Sequence, residues 1–309
     1  MLELSLVIPA YNEAERLAEG YERLRPVFAV LDEGNVEVIV IDDGSTDETM
    51  QRAHEVYGHL PHTRFVQQPA NLGKGAAVRL GMGLATGASV VTIDADMAID
   101  PMQLPLFMTS LRDSAFVPGS RAIKGHINYD AHLRTWAGDV FNRLVRHYTK
   151  TTQRDTQCGC KGFQLGAARL LALLALVDGF ALDVELFYLA DRLELSVRPL
   201  LVTWRDVVGS SVRPGRDARA MLRDIKSLAR TRYENPVVVL AASVTTEAIA
   251  DYAAKARLHG LVLARGDEDA LLVVGRNDAL GAAGVAAGLK GTLRTAGIDE
   301  LRARSYEAI

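Results

Sequence analysis

Cysteine is nearly missing from this chain: two in 309 residues, Cys158 and Cys160, with a single residue between them. That spacing is too tight for an ordinary disulfide, and two ligands are too few for a structural zinc site. They read as core or near-core thiols in a reducing cytoplasm. No run of about 18 apolar residues occurs, so no transmembrane helix is expected. The nearest candidate, Leu170 to Val177, is the length of a buried helix. Charge of one sign is also lacking, and a net charge of −3 argues against a general nucleic-acid binder. The chain opens directly on a strand-forming run, with no secretory leader expected. Repeats and low-complexity tracts are absent. Lys74 stands between two glycines, but no Ser or Thr follows it, so the P-loop pattern fails. No strand leads into Gly-x-Gly-x-x-Gly, which weakens a dehydrogenase reading.

Apolar residues are plentiful, at 49%, and 309 positions allow one large domain or two smaller ones with a sizeable core. Continuous Val/Ile/Leu runs predict strands at 4–9, 36–42, 63–67, 89–94 and 115–118. Amphipathic stretches near 13–31, 46–57, 73–86 and 101–113 predict helices between them. This alternation implies an α/β fold with a mostly parallel, Rossmann-like sheet flanked by helices. Ligands of such sheets sit beyond the carboxyl ends of the strands. Farther on, helices are expected near 130–150, 166–177, 183–193 and 216–232, with a strand over 195–203 and a loop at 155–161. Glu234-Asn235-Pro236 marks a boundary between a domain at 1–232 and a small α/β unit at 236–309. In the latter, strands are predicted at 237–240, 261–265 and 270–275, and helices at 245–258 and 277–296.

The apolar run from Ser89 to Ile93 ends in Asp94-Ala95-Asp96. Two carboxylates at a strand end can hold a hard divalent cation, which usually also takes phosphate oxygens. Asp-x-Asp is common by chance, and two exposed loop aspartates are the plain alternative. Two other runs end alike: Ser5 to Ile8 leads into Pro9-Ala10-Tyr11-Asn12-Glu13, and Val38 to Ile41 into Asp42-Asp43-Gly44-Ser45-Thr46-Asp47. Taken singly, Tyr11 could cap the core and Asp43-Gly44 could be a turn before a helix N-cap.

Together these runs resemble family 2 of the inverting glycosyltransferases, which have the GT-A fold. Asn71-Leu72-Gly73-Lys74-Gly75, Gly119-Ser120-Arg121, Arg134 with Phe141-Asn142, and Asp155-Thr156-Gln157-Cys158-Gly159 narrow the likeness to its polyprenyl-phosphate (dolichyl-phosphate) glucosyltransferase and mannosyltransferase branch, the glucosyl side more closely. The resemblance covers about 1–232. It implies a nucleotide diphosphate sugar as donor, UDP-glucose favoured, with Pro9, Ala10, Tyr11 and Glu13 around base and ribose. Asp42 would meet the base edge, Asp43 would support the loop, and Lys74 would touch the donor or a neighbouring carboxylate. It implies Mg²⁺ or Mn²⁺ on Asp96, with Asp94 on the ribose or on metal-bound water.

The acceptor implied is a polyprenyl phosphate, held by Arg121 and Arg134, because arginine forks match phosphate oxygens. Its oxygen is already ionised near pH 7 and needs no general base. Asp155 would orient the acceptor or its loop. Asp183 or Glu185 would be the base were the acceptor a hydroxyl, or else a helix N-terminal carboxylate without chemistry. This chain departs from the branch in carrying Cys160 where Phe is usual, and Arg213 where a lysine follows a Gly-Ser pair. Arg213 could take the diphosphate role.

The segment 130–150 has an apolar face built from Leu133, Trp136, Val140, Phe141, Leu144, Val145 and Tyr148, edged by Arg and Lys. It suits either a bilayer interface or an ordinary core. Segment 211–232 carries seven cations against two carboxylates and would be drawn to anionic head groups. The expectation is a cytoplasmic enzyme, peripheral on the inner membrane face. Many relatives add membrane helices where this chain has its α/β tail, whose role (homodimer contact, brace or partner site) stays open. A soluble hydroxyl or glycan acceptor, a non-catalytic nucleotide-sugar sensor and a nucleotidyltransferase remain as alternatives.

Overall fold

The structure, a computed structural model, describes residues 2–121, 145–149, 153, 155–205, 214–228, 237–242, 245, 248–249, 260–265, 269–274, 286, 289, 292–295 and 305–308. The strands are β1 Leu4–Ala10, β2 Val36–Asp42, β3 Thr63–Gln67, β4 Ser89–Thr92, β5 Phe116–Ser120, β6 Lys161–Gln164 and β7 Leu200–Leu201. They form one sheet in the order β3-β2-β1-β4-β6-β5-β7. Only β6 runs against the others, pairing antiparallel with β4 and β5. The helices are α1 Ala14–Val30, α2 Thr49–Tyr57, α3 Lys74–Leu84, α4 Leu104–Ser110, α5 Leu165–Leu174, α6 Leu182–Arg192 and α7 Pro214–Leu228.

Side chains alternate across a strand, and β1 and β2 are apolar on both faces. Val7, Ile39 and Ile41 turn one way, into a core shared with Ala77 and Met82 of α3 and with α5 and α6. Leu6, Ile8, Val38 and Val40 turn the other way, against α1 and α2. A fully buried side chain of this size contributes about 1.5–3 kcal/mol, so both layers of helices are held firmly and the strand tips are fixed.

Two predicted elements change. The strand expected over 195–203 shrinks to Leu200–Leu201, with single bridges from Val197 to Phe116 and from Trp204 to Ile99. At 161–164, where the sequence suggested the end of a loop, β6 fills the gap between β4 and β5. Gly162 lets Phe107 and Leu111 close over it, and the Phe116 and Phe163 rings stack at 4.6 Å. Both outcomes depend on neighbours remote in sequence.

The tail forms a second sheet from β8 Val237–Ala242, β9 Gly260–Arg265, β10 Asp269–Val274, β11 Thr292–Thr295 and β12 Ser305–Ala308. Their order is β11-β8-β10-β9-β12, with every neighbouring pair antiparallel. The helix predicted over 277–296 is therefore wrong at its end, where Thr292-Leu293-Arg294-Thr295 alternates and carries β-branched threonines. The strand β12 was not foreseen. α5 lies against β9 and β12, and Val273 of β10 joins the core that contains α5 and α6.

Candidate active site

Strand register brings the three polar strand ends together. Ala10 pairs with Asp42, and Val7 with Thr92, so the segments following β1, β2 and β4 emerge side by side. Asn12 takes a positive φ of 52°, a conformation that asparagine tolerates. There its N–H donates to Ser45 Oγ at 2.9 Å, and its Oδ1 accepts from the Thr46 N–H at 2.9 Å. Asp42 is fully buried. Its Oδ1 accepts from the Ser45 N–H at 3.0 Å and from the Ser45 hydroxyl, and its Oδ2 accepts from Gln67 Nε2 at 2.8 Å. Asp43 accepts from the N–H groups of Leu72 (2.7 Å) and Gly73 (2.9 Å). Burial raises its pKa in spite of those bonds. Beside them Pro9 and Glu13 are half-buried, Ala10 is buried, and Tyr11 is 38% exposed.

The loop held by Asp43 delivers Lys74. Gly73 has a φ of 110°, and side chains on Gly73 or Gly75 would collide with the backbone of Val177–Gly179. Lys74 Nζ lies 2.7 Å from Asp94 Oδ1. Burial opposes its charge, but Asp94, Asp183 and Asp96 outweigh it and raise its pKa. Asp96 accepts from the Ala98 N–H at 3.0 Å. Burial and then the charge of Asp94 push its carboxyl upward. Glu13 is raised by burial too, with Asp96 and Asp94 adding to it, although Arg16 grips both its oxygens at 2.8 Å. Three acids thus share one field, balanced by Lys74 and Arg16.

On the far side of β4, Arg121 forks onto Asp155, Nε to Oδ2 and Nη2 to Oδ1, both at 2.9 Å. The Arg121 and Gln157 N–H groups also donate to this carboxylate. Burial works against the charged carboxylate, but these bonds prevail and hold Asp155 below its ordinary value. The Arg121 guanidinium lies 5.8 Å from the centre of the Trp204 ring. Lys161, only 2% exposed, reaches Asp183 Oδ1 at 2.9 Å and donates to the Cys158 carbonyl. Glu185 is fully buried, its oxygens accepting from the N–H groups of Leu176 (2.9 Å) and Val177 (2.8 Å). Gly159 abuts Asp94 so closely that a Cβ would collide with its carboxylate.

Of the residues singled out from sequence, Lys74 lies in the fields of Asp94, Asp96 and Asp183, Glu13 in those of Asp94 and Asp96, and Arg121 and Asp155 pair beside them. Glu185 lies behind the loop, holding it. Arg134, Arg213, Phe141 and Asn142 lie outside the described residues, as does most of 130–150. At the end of that segment, Val145 and Thr149 are buried and Tyr148 packs on the core, so this part of the apolar face turns inward. Sequence reasoning gives Ser45 only the role of a candidate helix N-cap, a position that Glu48 takes instead, and no role to Gln67, Gly159 or Lys161. A cation inside the Cys158–Phe163 stretch was the available signal for the last. A cavity of about 420 Å³ lies between Leu176–Gly179 and α7, bordered by Glu185, Arg223 and Asp224, with none of Lys74, Asp94 or Asp96 lining it.

A mostly parallel sheet with one reversed strand, and a carboxylate pair beyond β4, agree with the GT-A fold of glycosyltransferases. Residues 5–171, more than half of the chain, match the Glycosyl transferase family 2 domain, and the chain belongs to that family. It is 35% identical over 242 residues to the dolichyl-phosphate beta-glucosyltransferase of Drosophila melanogaster, covering 72% of this chain and 73% of that protein. It is 32% identical over 234 residues to the human protein of that name, covering 69% and 70%. The fold is similar to glucosyl-3-phosphoglycerate synthase from Mycobacterium tuberculosis, crystallised with UDP, at a TM-score of 0.53 and 23% identity over 74% of this chain and 79% of that one.

Proposed function

We propose that this protein is an inverting, metal-dependent hexosyltransferase that moves glucose from a nucleotide diphosphate sugar, UDP-glucose favoured, to a polyprenyl phosphate. The observation that carries this reading is the 35% identity to a dolichyl-phosphate beta-glucosyltransferase across 72% of the chain. The polar web around Asn12, Asp42 and Ser45 supports a base and ribose pocket. Asp94 and Asp96 fit a divalent cation, because Asp96 is driven toward protonation by burial and by its neighbour, a penalty that a cation relieves. They would hold Mg²⁺ or Mn²⁺, which as a Lewis acid stabilises the departing diphosphate. Lys74 adds a second positive charge beside the same carboxylates.

An ionised phosphate acceptor supplies its own nucleophilic oxygen. The new bond forms from that oxygen to the anomeric carbon while the bond to the diphosphate breaks, inverting the centre. The work of the protein is then to position two anions against each other. Arg121, preset by Asp155 and stacked over Trp204, is suited to the acceptor phosphate, and Arg134 is assigned the same role by sequence. The cationic run at 211–232 supports contact with anionic head groups on the cytoplasmic membrane face. Residues 1–232 form the transferase domain and 236–309 a second domain.

The test is the purified full chain with UDP-glucose or GDP-mannose, Mn²⁺ or Mg²⁺, and a short polyprenyl phosphate in detergent. Mass spectrometry and NMR should find the prenyl phosphate glucosylated with an inverted anomeric centre. Arg134→Ala should weaken acceptor use far more than donor binding. Transfer to a soluble hydroxyl compound but not to the prenyl phosphate would overturn the acceptor.

A further inference from the structure

Lys161 is the buried cation that the chemistry above leaves unused. It lies on β6, its backbone paired with Thr92 of β4, two residues before Asp94. Its ammonium is sequestered from water and has two bonds, to Asp183 and to the Cys158 carbonyl. Burying an ammonium costs several kcal/mol unless its partners repay it, and a methionine would fill a similar volume. The two partners explain its presence. The Cys158 carbonyl begins the turn whose next residue, Gly159, approaches the Asp94 carboxylate so closely that a Cβ would collide with it. Asp183 opens α6 and also acts on Lys74, the ammonium that bonds Asp94 from its other side.

We propose that Lys161 and Asp183 are positioning residues for the carboxylate pair: the buried ammonium draws the Cys158–Gly159 turn and Asp183 together, fixing Asp94 between Gly159 and Lys74 in the orientation that cation and diphosphate require. The inference rests on the donor chemistry proposed above and assigns Asp183 a task other than proton abstraction. Groups that orient metal ligands typically govern affinity by about 10–100-fold.

The experiment is calorimetric titration of the full chain with UDP in the presence and absence of Mn²⁺, alongside Mn²⁺ binding followed by electron paramagnetic resonance. Lys161→Met and Asp183→Asn should each weaken Mn²⁺-dependent UDP binding about tenfold or more, leaving metal-free UDP binding within about threefold. Lys161→Arg should recover part of the loss. The double variant should be little worse than either single one, since each removes the same coupling. If Lys161→Met does not fold, Asp183→Asn and Gly159→Ala carry the test. Asp183→Asn binding Mn²⁺ and UDP like the parent would overturn the proposal, and a rate loss confined to hydroxyl acceptors would make Asp183 a base instead. If the parent chain binds no nucleotide with Mn²⁺, it is the donor reading that falls.

Discussion

Asp96 and Asp155 are both partly buried aspartates, yet their surroundings push them in opposite directions. Burial and Asp94 raise Asp96, so in the folded chain it holds its proton to higher pH than in the unfolded one. Its contribution to stability is present below the ordinary value and is lost as pH rises through the folded value. Asp96→Asn should therefore melt higher than the parent at neutral pH without metal, as read by scanning calorimetry, while Asp96→Ala should abolish turnover. The same proton competes with the cation, so half-saturating Mn²⁺ should climb on acidification, beginning at a higher pH than an aspartate of ordinary pKa would give. Asp155 behaves conversely. Its pKa lies below the ordinary 3.8, so the stability it adds is present above that value and fades as pH falls through the folded one. Asp155→Asn should lower the melting temperature at pH 7, and the gap should narrow toward pH 3.

At the level of elements, the site depends on loops pinned by carboxylates that accept from backbone N–H groups. Asp43 secures the Leu72–Gly73 turn, and Glu185 secures Leu176 and Val177, against whose backbone Gly75 packs. A Cβ on Gly75 would lie 2.6 Å from the Val177 carbonyl and 2.7 Å from that of Gly179. Gly75→Ala should shift Lys74 and weaken donor binding with the fold intact, which titration beside circular dichroism would detect. Glu185→Gln leaves a buried N–H facing an amide donor, and chemical denaturation should register a loss of about 1–3 kcal/mol. Legibility differed among these elements. The tips of β1, β2 and β4 could be read because each is a strong apolar run ending abruptly in polar residues. The strand β6 could not, since Lys161-Gly162-Phe163-Gln164 has no pattern of its own and is defined by the two strands it joins.

For the molecule as a whole, the two sheets are not independent. α5 is covered on one side by the transferase core and also lies against β9 and β12. A chain ending at 232 should consequently lose thermal stability and expose apolar surface, with a lower melting temperature and increased binding of a hydrophobic dye. An unchanged melting temperature would show the tail to be a mere appendage.

The sequence by itself determined the α/β alternation, the three strand ends that carry the acids, and the family, because these follow from local apolar runs and from short motifs whose spacing survives without coordinates. Only the tertiary structure decided which charge meets which: Lys74 on Asp94, Arg121 on Asp155, Lys161 on Asp183, and Glu185 turned inward on a backbone loop. Ion pairs across 20 to 34 positions of chain are selected by burial and sheet register, and neither is written in any one segment.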